Sequence, residues 1–138
     1  EIKRAGRSNS SGTYAFYKKA VLGKDADGKG IEFKLGTGSM PGSTAVVELC
    51  MTTPSAMGYS GMSYKTDKVA WLAISKEDGA EAYEPSIENV SAGNYPIARP
   101  LYIYTVGEPE GIVKEYIDWV KTGGQDALLK EGFVPLAK

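Results

Sequence analysis

The sequence predicts an α/β fold, and three observations carry that prediction. Strand-type segments alternate with helix-type segments along the chain, and short glycine-rich turns separate the two patterns. The strongest strand signal, Leu101-Tyr102-Ile103-Tyr104-Thr105, runs almost directly into the strongest helix signal, residues 110–121. At 138 residues the chain is one domain or two small lobes, and it is long enough to bury a core.

The elements follow in order. Residues 1–6 fit a strand running into a Ser/Gly turn. A helix is predicted over 12–22, with Phe16, Tyr17, Ala20 and Val21 on one face and Gly23 as its stop. Residues 23–30 form a polar loop, and 31–35 alternate as a short strand. A second Gly/Ser loop, 36–43, opens a helix over 43–52. Past the break at Pro54, 56–60 read as a small-residue strand and 69–75 as a clearer one. The long loop 76–96 holds one helical turn near 86–90. A strand over 99–106 precedes the helix of 110–121, whose start is marked by Glu108-Pro109. A short helix over 125–130 and an extended piece at 133–136 finish the chain.

Composition narrows the function classes. The chain is 42% hydrophobic and 24% charged, as in globular proteins, and its net charge of −1 gives no global field for nucleic acid or anionic membrane. Any anion must therefore be held by local donors. No apolar run reaches the roughly 18 residues of a membrane span. There is no histidine, which excludes Ser-His-Asp and Cys-His catalysis and His-ligated zinc within the chain. Cys50 is the single cysteine; it shares a helical face with Val46 and Leu49 and reads as a small buried hydrophobe. The chain opens on Glu1 rather than Met and carries no signal-peptide pattern, so a processed product or a fragment is expected.

One stretch carries binding chemistry. Arg7-Ser8-Asn9-Ser10-Ser11-Gly12-Thr13 places an arginine and a hydroxyl-glycine-hydroxyl turn directly before the first apolar-periodic helix. The first N–H groups of a helix lack intrahelical partners and carry partial positive charge, which suits an anion. Ser11 and Thr13 add hydroxyl donors, Gly12 allows close approach to the backbone, and Arg7 supplies a forked guanidinium. An ordinary N-cap accounts for the same residues and stays open at this point.

Other motifs fail on inspection. Gly23-Lys24-Asp25-Ala26-Asp27-Gly28-Lys29 fits the first seven positions of a P-loop, but Gly30 stands where Ser or Thr belongs and a helix precedes the loop. The same stretch mimics a calcium loop through Asp25, Asp27 and Gly28. Its isoleucine comes one place late, and Lys34 occupies the position of the bidentate acid. A solvated hairpin loop is the better reading. Gly36, Gly38 and Gly42 are spaced wrongly for a dinucleotide loop, and Gly58-Tyr59-Ser60-Gly61 is not a nucleophile elbow. Tyr59, Tyr64, Tyr102, Tyr104 and Tyr116 read as core or lobe-interface packing rather than a stacking surface for bases.

Taken together, ordered segments over nearly the whole length resemble the C-terminal half of periplasmic phosphate-binding proteins of ABC transporters. They are Gly6 to Tyr14, Gly38-Ser39 with the helix after it, and Thr53-Pro54-Ser55-Ala56-Met57-Gly58-Tyr59-Ser60-Gly61-Met62. Next come Glu84-Pro85-Ser86-Ile87-Glu88-Asn89-Val90 and Tyr95-Pro96-Ile97-Ala98-Arg99-Pro100-Leu101-Tyr102. Tyr116-Ile117-Asp118-Trp119-Val120 and Gly132-Phe133-Val134-Pro135-Leu136 complete the set.

The resemblance implies a periplasmic-binding-protein-like lobe with a mixed sheet flanked by helices. It divides the chain into a phosphate-contacting lobe, 1–95, and a crossing strand with C-terminal helices, 96–138, that returns toward a missing second lobe. It implies phosphate binding by Arg7, Asn9, Ser11, Gly12 and Thr13, with no catalysis, metal or cofactor. Some family members carry aspartate where this chain has Asn9. A carboxylate accepts the proton of hydrogen phosphate and repels sulfate, and an amide does so less decisively. The implied setting is periplasmic or otherwise extracytoplasmic, with an ABC permease as partner. The apolar set Ile112, Val113, Tyr116, Ile117, Trp119 and Val120 then needs a cover, either the missing N-terminal half or a second copy of the chain. At about 1.5–3 kcal/mol per large side chain, exposing it forfeits on the order of 10 kcal/mol, a whole domain's stability. The alternative is a stand-alone oligomeric sensor or interaction protein that reuses the fold, including for another oxyanion.

Overall fold

The computed structural model describes residues 1–136; the last two residues of the 96–138 segment lie outside the described residues. The chain divides into two compact units, Glu1–Trp71 and Leu72–Lys138. That boundary falls upstream of the 95/96 division expected from the sequence.

The first unit is built on a parallel sheet of β1 (Lys3–Arg7), β2 (Gly38–Met40) and β3 (Ala56–Gly58), in the order β2-β1-β3. Ala5 pairs with both Gly38 and Gly58, so β1 is the central strand. All three strands are parallel; among the described residues, antiparallel pairing is confined to the isolated bridges Lys24–Gly30 and Ile74–Tyr83. Helix α1 (Gly12–Tyr17) follows β1 and continues as a π-helical turn, Lys18–Leu22. Gly23 ends it in the left-handed region, φ 67°, with its N–H donating to Lys18 O at 3.0 Å. Helix α2 (Ser43–Thr52) turns Val46 and Val47 inward, and with Ala5 they are the buried apolar residues of this unit. The packing is close. A Cβ on Gly58 would lie 2.7 Å from Val46 Cγ1 and 2.8 Å from Ala5 O, so only glycine fits where α2 and β1 meet β3.

The second unit is helical. Ser86 caps α3 (Ile87–Ser91) by accepting the Asn89 N–H at 3.1 Å. Helix α4 (Gly111–Lys121) carries an ion pair between Lys114 and Asp118, one turn apart. After α5 (Gln125–Lys130), the Gln125 side chain donates to Val120 O and accepts the Leu136 N–H at 2.7 Å, which ties the tail back to the end of α4. Ile117 is its buried hydrophobic side chain among the described residues.

Helices match the sequence expectations closely, whereas three expected strands do not form. Residues 31–35 and 99–106 are irregular, and of 69–75 only Ile74 pairs, through two backbone bonds with Tyr83. A strand is completed by its neighbour, and among the described residues no strand partner runs along these segments. Conversely β2 forms inside the expected Gly/Ser loop. Gly6 sits so close to it that an added Cβ would lie 3.1 Å from Thr37 Cγ2 and 3.2 Å from Gly38 O, so small residues are what let the two strands approach. The loop at 23–30 is a hairpin, as expected: the Asp25 carboxylate accepts the N–H groups of Asp27 and Lys29 at 3.1 and 2.8 Å. Cys50 is half-buried and burial pushes its thiol up, so it stays protonated and unreactive at neutral pH. Tyr64, Tyr102, Tyr104 and Tyr116 are exposed rather than in the core, whereas Tyr59 packs in an aromatic cluster.

Candidate functional site

The candidate site lies at the carboxyl end of β1, the end of a parallel sheet where open α/β folds bind ligands. Arg7 is the last residue of β1 and is half-buried. Its backbone N–H donates to the phenol oxygen of Tyr59, just beyond β3, at 3.1 Å. Its Nη1 donates to Ser43 Oγ, in the first turn of α2, at 2.8 Å. Its Nε is buried with no acceptor, and no carboxylate pairs with it among the described residues. A buried charged donor left without an acceptor costs free energy, and an incoming oxyanion can supply one.

The turn after Arg7 is closed by the Ser11 N–H donating to Ser8 O at 2.9 Å, while the Ser8 and Ser10 hydroxyls lie 3.1 Å apart. Asn9 is exposed on this turn. Ser11 caps α1: its Oγ accepts the N–H groups of Thr13 and Tyr14 at 3.2 and 3.4 Å. That leaves its own hydroxyl hydrogen to donate. The Gly12 N–H and the Thr13 hydroxyl have no partner among the described residues. The cap and the anion cradle are therefore compatible, because capping uses the oxygen of Ser11 and leaves the donors.

Beside the turn is a cavity of about 380 Å³ whose walls include Arg7, Asn9, Tyr14, Phe33, Thr37 and Tyr59. Of the expected site residues, Arg7 and Asn9 line it; Ser11, Gly12 and Thr13 follow on the adjoining turn and are not among its walls. One side is aromatic. Tyr17 stacks on Tyr59 with centroids 4.0 Å apart, and Phe33 lies 4.9 Å from Tyr14 and 5.8 Å from Tyr59. Burial pushes the phenols of Tyr17 and Tyr59 up; for Tyr59 the bond from Arg7 N–H works against that rise. Both are therefore neutral at neutral pH, and Tyr59 accepts from Arg7 while keeping its own hydrogen to donate.

Sequence reasoning missed Ser43 and Tyr59 as partners of Arg7. Ser43 was legible only as a helix start and Tyr59 only as a packing residue. Their contacts span 36 and 52 residues, beyond the reach of any local pattern. Among the described residues no cluster of acidic or cysteine side chains is arranged to hold a metal, and no helix is long and apolar enough to cross a membrane.

Comparison with known proteins gives this geometry a family. Phosphate-binding protein PstS of Pseudomonas aeruginosa is 34% identical over 141 residues, covering 98% of this chain and 42% of that protein. Its namesake from Bacillus subtilis is 33% identical over 139 residues, covering 99% of this chain and again 42% of the relative. The chain thus spans less than half the length of these relatives. Among solved structures, a Clostridium perfringens protein designated a phosphate ABC transporter substrate-binding protein, with bound phosphate, superposes with a TM-score of 0.76. The two are 28% identical over 99% of this chain and 52% of that one. A phosphate-binding protein of a phosphate ABC transporter from Streptococcus pneumoniae also gives 0.76, at 26% identity over 96% of this chain and 51% of its own. Residues 1–122 match the profile of the PBP superfamily domain, and the chain belongs to that superfamily.

Proposed function

We propose that this chain binds inorganic phosphate as part of the extracytoplasmic solute receptor of an ABC phosphate importer. Arg7 supplies the charge, Ser11 and Thr13 the hydroxyls, Gly12 a backbone N–H, and Asn9 an amide at the mouth of the site. The observation that carries the reading is the Arg7 guanidinium: tethered at one nitrogen, without a carboxylate partner, and with Nε buried and lacking an acceptor. The names of the relatives point to the same ion. No chemistry is done on it. Binding relies on local charge-assisted donors, which suits a chain whose net charge is −1.

The role of the 96–138 segment belongs to the same proposal. On α4, Ile112 is 77% exposed, and Val113, Tyr116 and Trp119 are about half exposed; Leu101 to Tyr104 and Val106 are uncovered too. So many large apolar side chains left in solvent mark an interface. The N-terminal part of a two-lobed receptor is its occupant in this reading, and closure of the lobes traps the ion. The same exposed surface favours a second reading, a paired assembly of two copies acting as an oxyanion sensor.

Calorimetric titration with phosphate and with sulfate, on the chain alone and with an N-terminal lobe supplied, tests the function. Phosphate binding that Arg7→Ala abolishes is the expected result; no binding of either anion in either form would refute it. Size measurement in solution separates the two readings of the apolar surface: a dimer favours paired copies, and a well-behaved compact monomer counts against any need for a cover.

A further inference from the structure

We infer that Ser43 is a positioning residue of the anion site, fixing the Arg7 guanidinium by accepting from Nη1; this rests on the phosphate reading above. A free arginine side chain carries large rotamer entropy, which a ligand must overcome on binding unless the fork is held beforehand. In this chain a carboxylate does not hold it: Asn9 makes no bond to Arg7, and no acidic side chain pairs with it among the described residues. The hydroxyl of Ser43 does, at 2.8 Å.

The choice of acceptor has two consequences. A hydroxyl fixes geometry without neutralising charge, so the full positive charge of Arg7 stays available to an anion. Spending Nη1 on Ser43 also leaves Nε and Nη2 as the unused edge of the fork, and an oxyanion with two oxygens matches that edge.

The anchor is rigid for a reason that can be traced. Ser43 begins α2, and α2 is held on the sheet by Val46 and Val47, 2% and 8% exposed. The other end of Arg7 is held by pairing with Met40 and by the Tyr59 phenol. Sheet and helix thus fix the guanidinium from opposite ends, and the tyrosine bond holds the backbone while the serine bond holds the head.

Phosphate affinity, followed through amide chemical shifts of the labelled chain, tests this. Ser43→Ala is expected to weaken binding on the order of tenfold, as expected for loss of a hydrogen bond to a charged group, with an unchanged thermal midpoint. Ser43→Thr is expected to restore it, and Ser43→Ala in an Arg7→Lys background to add no further loss, because the two residues act as a unit. A purely structural serine would move the midpoint and would not couple to Arg7. Should Ser43→Ala fail to fold, Ser43→Cys, of similar size and weaker as an acceptor, carries the same expectation. Parent-like binding by the serine variants, with Arg7→Ala inactive, overturns the positioning role and leaves the site standing. Undiminished binding by Arg7→Ala, or none by the parent chain, overturns the phosphate reading and this inference with it.

Discussion

The two compact units meet the same physical requirement with opposite success. In residues 1–71, β1 finds a parallel partner on each side, and Ala5, Val46 and Val47 are shielded from solvent. In residues 72–138, the segment of highest strand propensity is unpaired, and the most amphipathic helix leaves Ile112, Val113, Tyr116 and Trp119 to solvent. The contrast teaches that apolar character reports a need for a partner, not its presence. Leu101 to Thr105 has the residues of a strand and lacks the neighbour that would make it one. Gly38–Met40 has poor strand residues and forms one because β1 lies alongside.

The sharpest way to break the comparison is at Arg7, the residue of the first unit to which the proposed function assigns the anion. Arg7→Ala is expected to lower phosphate affinity more than about 100-fold, since truncating a charged, hydrogen-bonded contact typically costs several kcal/mol. Titration calorimetry reads it. Equal affinity in the variant would detach the site from β1.

Next in size is the packing of the first unit. Gly58→Ala sets a methyl against Val46 and the Ala5 carbonyl and is expected to destabilise that unit by about 1–3 kcal/mol. Native-state hydrogen exchange should show the loss in residues 1–71 and leave α4 and α5 unaltered. Equal losses in both units would mean that they unfold as one.

A smaller effect follows from the buried phenols. Tyr17 and Tyr59 are raised above the ordinary 10.0, so the folded state holds their protons more tightly than the unfolded chain does. Their contribution is fully present below pH 10 and lost as pH rises through the raised folded values. Urea midpoints should therefore fall as pH rises above 10.0, and less steeply in Tyr17→Phe or Tyr59→Phe. A fall of the same steepness in both variants would assign it to other groups.

The smallest expected effect lies on the exposed face. Ile112→Ser should change the stability of the chain by no more than about 0.5 kcal/mol, because the side chain is already in water. Val46→Ala, equally simple chemistry at a shielded position, should cost about 2 kcal/mol or more. If Ile112→Ser instead proves the costlier in chemical denaturation, the face is covered in solution by another copy.

Much of this was legible beforehand, for reasons that differ by element. Helices α2, α4 and α5 are encoded locally, by periodicity, Pro54 and the Glu108-Pro109 start, so their bounds were predictable within a residue. The Arg7-to-Thr13 turn was legible because cap and anion chemistry need the same residue types. Strand pairing was not, because register depends on segments tens of residues away. Ser43 and Tyr59 share that limit: nothing near either residue announces Arg7.

The central claim is that an anion is held where β1 ends and α1 begins. The most direct measurement is a phosphate titration of the isotopically labelled chain, observed at the amides of Gly12 and Thr13 and repeated in Arg7→Ala. Saturable shifts at those two amides that vanish in the variant are the predicted result. Shifts located elsewhere, or unchanged without the arginine, would contradict it.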